Sequence, residues 1–513
     1  MKRHILTTTL LLTAGTVAFL GCQSMYLQPG EDTANGFLDS GDTYSTFQAI
    51  QVDPRAEDSA GPQFVATGDF NNDGLLDLVS GWNESQPVQI HIQQQDDNGD
   101  VLFATLPVGG TTPLARAAEL KVADLDQDGF DDIVVLAKDT GLVAQCDQSR
   151  EDCDITENGG FIEGALAGAV VVFFNPQDVL AEPWTGITLT QSMLAGTDEG
   201  TLPEEGGYSG MDIGDIDGTN GLDIVVALNG AEGTTVEAEP PSNTINFFPN
   251  PGGGTARNPE GWSRIIIHAD HPTVSACRVT DVDGDGDNDV VATYPPAKNA
   301  NVRWLANPTS LGADGNVYDF WPPHAPIGQV ATHADVLDLG DIDGDGAEDI
   351  LIRSTEGAIV QWFKKPASPS QTYIRNPWQV YTLAEFTSRA PMAIALGDLT
   401  GDGALNVAVS AEGAVAWFAP YAITEGDVYD LWWEHLIIDD VSADDDPDPN
   451  AMLTLLTDPN ADPQASTSTQ VNTLLVTDMD GDGFNDIVAT LDRASMSGLS
   501  NDALVLFRNT IGD

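Results

Sequence analysis

Asp341-Ile-Asp-Gly-Asp-Gly-Ala-Glu-Asp349, followed at once by the apolar run Ile350-Leu-Ile352, is the stretch that decides the fold. Oxygen-bearing side chains stand at loop positions 1, 3, 5 and 9 (Asp341, Asp343, Asp345 and Asp349), with Gly346 at position 6. Oxygens at this spacing around a tight turn make a cage for a hard cation, and calcium is the ion that accepts such flexible sets. The pattern occurs seven times. Asp281, Asp283, Asp285 and Asp289 form one clear copy, and Asp478, Asp480, Asp482 and Asp486 form another. Asp124, Asp126, Asp128 and Asp132 are complete, and Asp69, Asn71, Asp73 and Asp77 keep oxygen at every ligand position. Asp215, Asp217, Thr219 and Asp223 carry threonine at position 5 and a displaced glycine, whereas Asp398, Thr400, Asp402 and Asn406 keep only two carboxylates. Fewer charges weaken calcium binding, so the loops starting at Asp215 and Asp398 are expected to be weak or empty.

The spacing excludes an EF-hand. That loop needs a bidentate glutamate at position 12 and a helix on either side. Position 12 here is Ser80, Val135, Ala292, Ile352 or Ala489, and none of these chelates. Each loop instead leads into a β-branched run such as Ile133-Val-Val-Leu136 or Ile224-Val-Val226, which reads as a buried strand. The loop is a calcium-stapled turn between two strands.

These loops, with the strands behind them, resemble the FG-GAP/VCBS repeats of integrin α-subunit heads and of bacterial surface proteins, over about residues 45–513. The literal Phe-Gly and Gly-Ala-Pro signatures are missing. The resemblance implies a β-propeller in which the matching Asp, Asn and Thr positions are calcium ligands.

The repeat spacing supports a propeller independently. Loops start at 69, 124, 215, 281, 341, 398 and 478, a period suited to four-stranded blades arranged radially. Strand a precedes each loop and strand b follows it. Strand c carries aromatics, as in Ile359-Val-Gln-Trp-Phe363 and Val415-Ala-Trp-Phe418. Strand d often opens with tryptophan (Trp184, Trp262, Trp378 and Trp433). These aromatics read as packing between blades rather than a ligand cage. The last unit ends after strand c, while residues 45–52 look like an orphan strand d. Pairing the two closes a seven-bladed, all-β ring and removes the free sheet edges. Strand parity then places the long segments 138–166, 193–208, 229–243 and 439–470 on the face opposite the calcium loops, the expected recognition surface.

Nineteen Lys+Arg against eighty Asp+Glu give a formal charge of −61. Such a surface repels nucleic acid and anionic headgroups, yet 41% hydrophobic residues allow a real core. The N-terminus is basic, then apolar from Ile5 to Gly21, too short for a comfortable membrane span. It ends in Phe19-Leu-Gly-Cys22, which resembles a bacterial lipobox. The resemblance implies a leader over residues 1–21, lipid on Cys22, a tether over 22–44, and an outer-membrane or cell-surface address. Free secretion is the alternative. Cys146 and Cys153 are close enough in sequence for a small disulfide loop, and Cys277 sits in a strand.

No nucleophile elbow, phosphate-cradling loop or zinc-protease helix is present. The sequence therefore argues for a calcium-loaded propeller that recognises a protein or glycan at the cell surface. A polysaccharide-acting enzyme on the same scaffold and a purely structural envelope protein are the alternatives.

Overall fold

The β-branched run after each acidic loop is the second strand of a four-stranded blade, and seven such antiparallel blades are present. The computed structural model describes residues 47–54, 61–82, 87–95, 101–109, 117–137, 166–180, 183–193, 207–229, 243–269, 274–295, 301–311, 315–321, 325–330, 332–366, 377–386, 390–411, 414–420, 432–438, 469–493 and 503–511. Blades 1 to 6 each use four consecutive strands. Blade 4, for example, runs Ala276–Thr280, Asp289–Thr293, Val302–Leu305 and Ala325–Gly328. Blade 7 joins the two chain ends. Thr469–Thr477, Asp486–Arg493 and Ala503–Asn509 supply strands a to c, and Phe47–Pro54 pairs with Ala503–Asn509 as strand d. The ring closes as the orphan strand predicted. Among the described residues, no helix is long and apolar enough to cross a membrane.

The cores lie between blades, not within them. Seven apolar clusters each draw on two neighbouring blades. Trp362 and Tyr381 of blade 5 pack with Val407 and Phe418 of blade 6. The last cluster sets Val65 and Leu78 of blade 1 against Val488 and Leu506 of blade 7. Strand-c aromatics Trp304, Trp362, Phe174 and Phe363 are fully buried, and Trp184, Trp262 and Trp378 enter the same clusters. Burying each such side chain stabilises the ring by about 1.5–3 kcal/mol before entropy is counted. Cys277 is free and buried in one cluster.

A second tie joins the blades at the acidic loops. Asn175, Asn250 and Asn307 follow strand c, and Asn509 ends it. Each side-chain amide donates twice: to the position-8 carbonyl of its own loop, and to the position-2 carbonyl of the preceding blade's loop. For Asn307 these are Asn288 O and Ile216 O, both at 2.9 Å. Its Oδ1 accepts the Thr309 N–H, which fixes the turn. Lys365 reaches the preceding loop in blade 5 (Asp281 O, 3.0 Å), and Gln93 does so in blade 1.

Strands a of neighbouring blades lie against one another around the axis. There, charge alternates over four blades at one repeat position: Lys121, Asp212, Arg278 and Asp338. Lys121 Nζ lies 2.7 Å from Asp212, and Arg278 lies 2.9 Å from Glu119. Glu119, Asp212 and Asp338 each also accept a main-chain N–H from the next blade (Met211, Val279 and Leu396). Lys121 and Arg278 hold Asp212 below the usual carboxylate range against the opposing effect of its burial. Burial pushes Asp338 up despite Arg278.

The leader, Cys22, the tether, Cys146 and Cys153 lie outside the described residues, as does most of segments 138–166, 193–208, 229–243 and 439–470.

Candidate metal centre: the a–b loops

Each loop is curled by left-handed residues at positions 4 and 6. In the loop from Asp281 these are Gly284 (φ 76°) and Gly286 (φ 96°), a conformation glycine adopts without Cβ strain. Asn72 and Gln127 accept it at position 4 in blades 1 and 2. The curl turns three N–H groups onto the position-1 carboxylate: Asp281 accepts from Gly284 at 2.7 Å, Asp285 at 3.2 Å and Gly286 at 2.9 Å. In the displaced loop of blade 3 the left-handed residues are Gly218, Asn220 and Gly221.

Carboxylate oxygens converge within 4.8 Å in five loops. Positions 1, 3 and 9 meet in four of them: Asp124, Asp126 and Asp132; Asp215, Asp217 and Asp223; Asp341, Asp343 and Asp349; Asp478, Asp480 and Asp486. Positions 1, 3 and 5 meet in the fifth, as Asp281, Asp283 and Asp285. Asp128, Asp345, Asp482 and Asp289 fall outside these groupings. The loop from Asp215 gathers three carboxylates even though Thr219 turns its hydroxyl onto Asp217 (2.6 Å). In blade 1, Asn71 bonds to Asp73 (2.9 Å) rather than standing free. In blade 6, Thr400 bonds to Asp398 (3.3 Å), and Asn406 accepts the Leu399 N–H (2.7 Å).

Position 9 has a second role that ligand counting does not reveal. One oxygen accepts the position-2 N–H and the other accepts an N–H at or just past the end of strand c, or within that strand in blade 1. For Asp289 the donors are Val282 (3.0 Å) and Asn307 (2.7 Å). Asp77, Asp132, Asp223, Asp349 and Asp486 repeat this. Without a counter-ion, burial pushes these five up to about 7 and Asp289 up to about 8; neighbouring loop carboxylates add to the rise and the N–H donors oppose it.

Protein cations already sit on three loops. Arg257, after strand c of blade 3, pairs with Asp126 and Asp128 of blade 2. Lys364 pairs with Asp343 and Asp345, and Arg508 with Asp480. The loop from Asp281 has no such partner among the described residues. Its Asp283 Oδ1 is buried without a hydrogen-bond partner. Burial first, then the charges of Asp285 and Asp281, push Asp283 up to about 6. An orphaned carboxylate oxygen within an all-oxygen set fits a hard divalent cation.

The inter-blade asparagines were missed in the sequence, but a signal exists. Asn175, Asn250 and Asn307 are each followed by proline directly after an aromatic strand.

An all-β, seven-bladed propeller with acidic inter-strand loops is the class that this fold and site define. Residues 69–135 and 281–352 match the FG-GAP-like repeat, each stretch running from one acidic loop to the strand after the next. Together with the ring, they agree with an FG-GAP repeat propeller. No curated protein matches the sequence. Among solved structures, the chain is similar to BBS1N in complex with ARL6DN, at 11% identity and TM-score 0.45, covering 91% of this chain and 98% of that one. It is also similar to an Agrocybe aegerita lectin with specific recognition of non-reducing terminal N-acetylglucosamine (14% identity, TM-score 0.39, 70% and 77% covered). A Bacillus licheniformis rhamnogalacturonan lyase is similar at 13% identity and TM-score 0.39, with 91% and 76% covered. At these values the likenesses concern the fold alone.

Proposed function

We propose that the chain is an exported, calcium-binding propeller that presents an interaction surface for a protein or glycan at the cell surface. Calcium is structural in this reading. It neutralises the converging loop carboxylates, which otherwise repel by about 4 kcal/mol per pair at 4 Å and an effective dielectric near 20. Asp69, Asp124, Asp215, Asp281, Asp341, Asp398 and Asp478 open the seven loops with their partners at positions 3, 5 and 9, and the loops from Asp215 and Asp398 are the weak or empty ones. Residues 1–21 are the leader, Cys22 carries the lipid, residues 22–44 are the tether, and 45–513 form the propeller. The observation that carries the reading is the cluster of Asp281, Asp283 and Asp285 around an orphaned Asp283 oxygen. Oxygen-only donors select calcium over softer metals, and an external calcium supply matches the affinities of extracellular modules, about 0.1–1 mM.

Calorimetric titration of metal-free protein with calcium tests it. At least four bound ions are expected, and a stoichiometry near zero ends the metal reading. Glycan-array and pull-down binding, with calcium and with chelator, tests the recognition role; a partner that binds only the calcium-loaded protein supports it. Cys22→Ser tests the anchor, since it should release the protein from membranes.

A further inference from the structure

We propose that Ser275, His333 and Asp335 form a hydrolytic site for uncharged acyl esters on the face opposite the acidic loops. Strand a of each blade starts on that face. The residue six places before the loop lies in the first residues of strand a or just ahead of it: Ser209 in blade 3, Ser275 in blade 4, Asp335 in blade 5 and Asn472 in blade 7. In blades 3 and 7 this side chain is a structural tie to the next blade. Ser209 Oγ donates to Val274 O at 2.6 Å, and Asn472 Nδ2 donates to Pro62 O at 3.2 Å. Ser275 also reaches the next blade, but its partner is an imidazole rather than a main-chain carbonyl. The Ser275 hydroxyl is hydrogen-bonded to His333 Nε2, in the segment leading into blade 5. The other imidazole nitrogen, Nδ1, faces Asp335 Oδ1 at 3.6 Å. Nucleophile and base are thus hydrogen-bonded, and the acid stands beside the base's other nitrogen at a distance that must shorten to orient it, in the order acyl transfer requires. Catalytic hydrogen bonds of this kind tighten when substrate binds.

The surroundings hold the three groups and leave them reachable. His333 and Asp335 flank Ala334, which is fully buried, so both turn away from the core. Asp335 Oδ2 accepts the Thr355 N–H at 2.6 Å, and the Asp335 N–H donates to Arg353 O at 2.9 Å, leaving Oδ1 for the histidine. The Arg353 guanidinium lies 3.9 Å from Oδ2. The Ser275 N–H donates to Thr293 O at 2.8 Å. The side chains of His333 and Asp335 are 34% and 22% exposed. A second serine–histidine pair, Ser80 and His91, is wholly buried, and its serine oxygen accepts from Trp82, so it touches no substrate.

In the reaction, Ser275 Oγ bonds to the ester carbonyl carbon while its proton passes to His333 Nε2. The carbon–oxygen bond to the alcohol breaks, and the alcohol leaves with that proton. Water then attacks the acyl-serine, giving one proton to His333. The acid departs, and Oγ regains its proton from Nε2. The chain's charge of −61 disfavours anionic esters, which leaves neutral acyl groups as the substrate class.

A fluorophosphonate probe applied to the full-length protein tests the site, because it reports an activated serine whatever the natural ester. One adduct at Ser275, located by peptide mass spectrometry, is expected. Hydrolysis of p-nitrophenyl acetate should fall on the order of 10³-fold in Ser275→Ala and in His333→Ala, at unchanged melting temperature. Ser209→Ala, at the same rim position, should label at Ser275 as the parent does. Asp335 is a positioning residue, so Asp335→Asn should lower kcat at constant KM and Asp335→Glu should restore part of it. Absence of an adduct at Ser275, or a Ser275→Ala protein that turns over ester like the parent, overturns the proposal.

Discussion

The Gln93 side-chain amide donates to the main-chain carbonyl of Met479 at 2.9 Å, joining residues 386 apart in sequence. In blade 1 it takes the part that Asn175, Asn250, Asn307 and Asn509 play in theirs, and it spans the seam between the first and last blades. Gln93→Ala leaves a buried carbonyl unsatisfied, which costs about 1–3 kcal/mol. Urea unfolding should show the midpoint fall with the slope unchanged. Asn307→Ala should cost a similar amount. An unchanged midpoint in Gln93→Ala would show that the apolar seam closes the ring without this tie.

The loops divide by whether a protein cation already sits on the acids. Asp283→Asn removes a ligand from a loop that has no such cation among the described residues. Calcium titration should then report one ion fewer, and the variant should lose the roughly 1.4 kcal/mol that the ion supplies at tenfold over the dissociation constant, whereas in metal-free buffer above pH 6 it should be the more stable of the two, because a buried charge beside Asp281 and Asp285 is gone. Lys364→Ala acts in the opposite sense. It leaves Asp343 and Asp345 without their ammonium partner, so the metal-free melting temperature falls and the gain on adding calcium grows. Equal gains in parent and variant would show that Lys364 does not compete with the ion.

Stability of the metal-free protein should depend on pH in a direction set by the position-9 acids. Their folded values, about 7 for Asp77, Asp132, Asp223, Asp349 and Asp486 and about 8 for Asp289, lie above the unfolded value near 4. The folded state therefore binds more protons between pH 4 and 8, and stability falls as pH rises through that window. A bound divalent cation removes the effect by favouring the ionised form. Scanning calorimetry from pH 5 to 8 should show a declining melting temperature without metal and a flatter profile in calcium. A rise with pH in metal-free buffer would contradict these shifts.

Much of the ring was legible because its two determinants are local. Asp341 to Asp349 encode a turn, Ile350 to Ile352 encode the strand behind it, and seven recurrences fix the blade number. Even the seam was readable, because a missing strand d at one end and a spare strand at the other are both local patterns. What the sequence hid is contact between distant residues. Asn307 is an ordinary turn residue until Ile216 O is beside it. Asp289 looks like a pure ligand until Asn307 and Val282 claim its oxygens. Lys364 shows no link to the loop until the end of strand c brings it over Asp343. Ser275 and His333 come from different blades, and only the ring brings them together.

The charge ring around the axis yields the largest expected single-site effect. Arg278 is enclosed by carboxylates: it lies 2.9 Å from Glu119, and Asp212 and Asp338 contribute to its charge stabilisation. It also donates to Met211 O and Cys277 O, so it ties blade 4 to blades 2 and 3 at once. Arg278→Met fills the space but takes the close cation from Glu119, which keeps only Lys121 at 4.0 Å, and the main counter-charge from Asp338, a loss of about 3–5 kcal/mol. Because the pair is shielded, the deficit should persist at high salt, unlike that of a surface pair. Arg278→Met combined with Glu119→Gln should recover part of the loss, since the variant pair no longer holds an uncompensated charge there. A double variant that is destabilised by the simple sum of the two would show that Arg278 acts through its carbonyl contacts rather than through the acid.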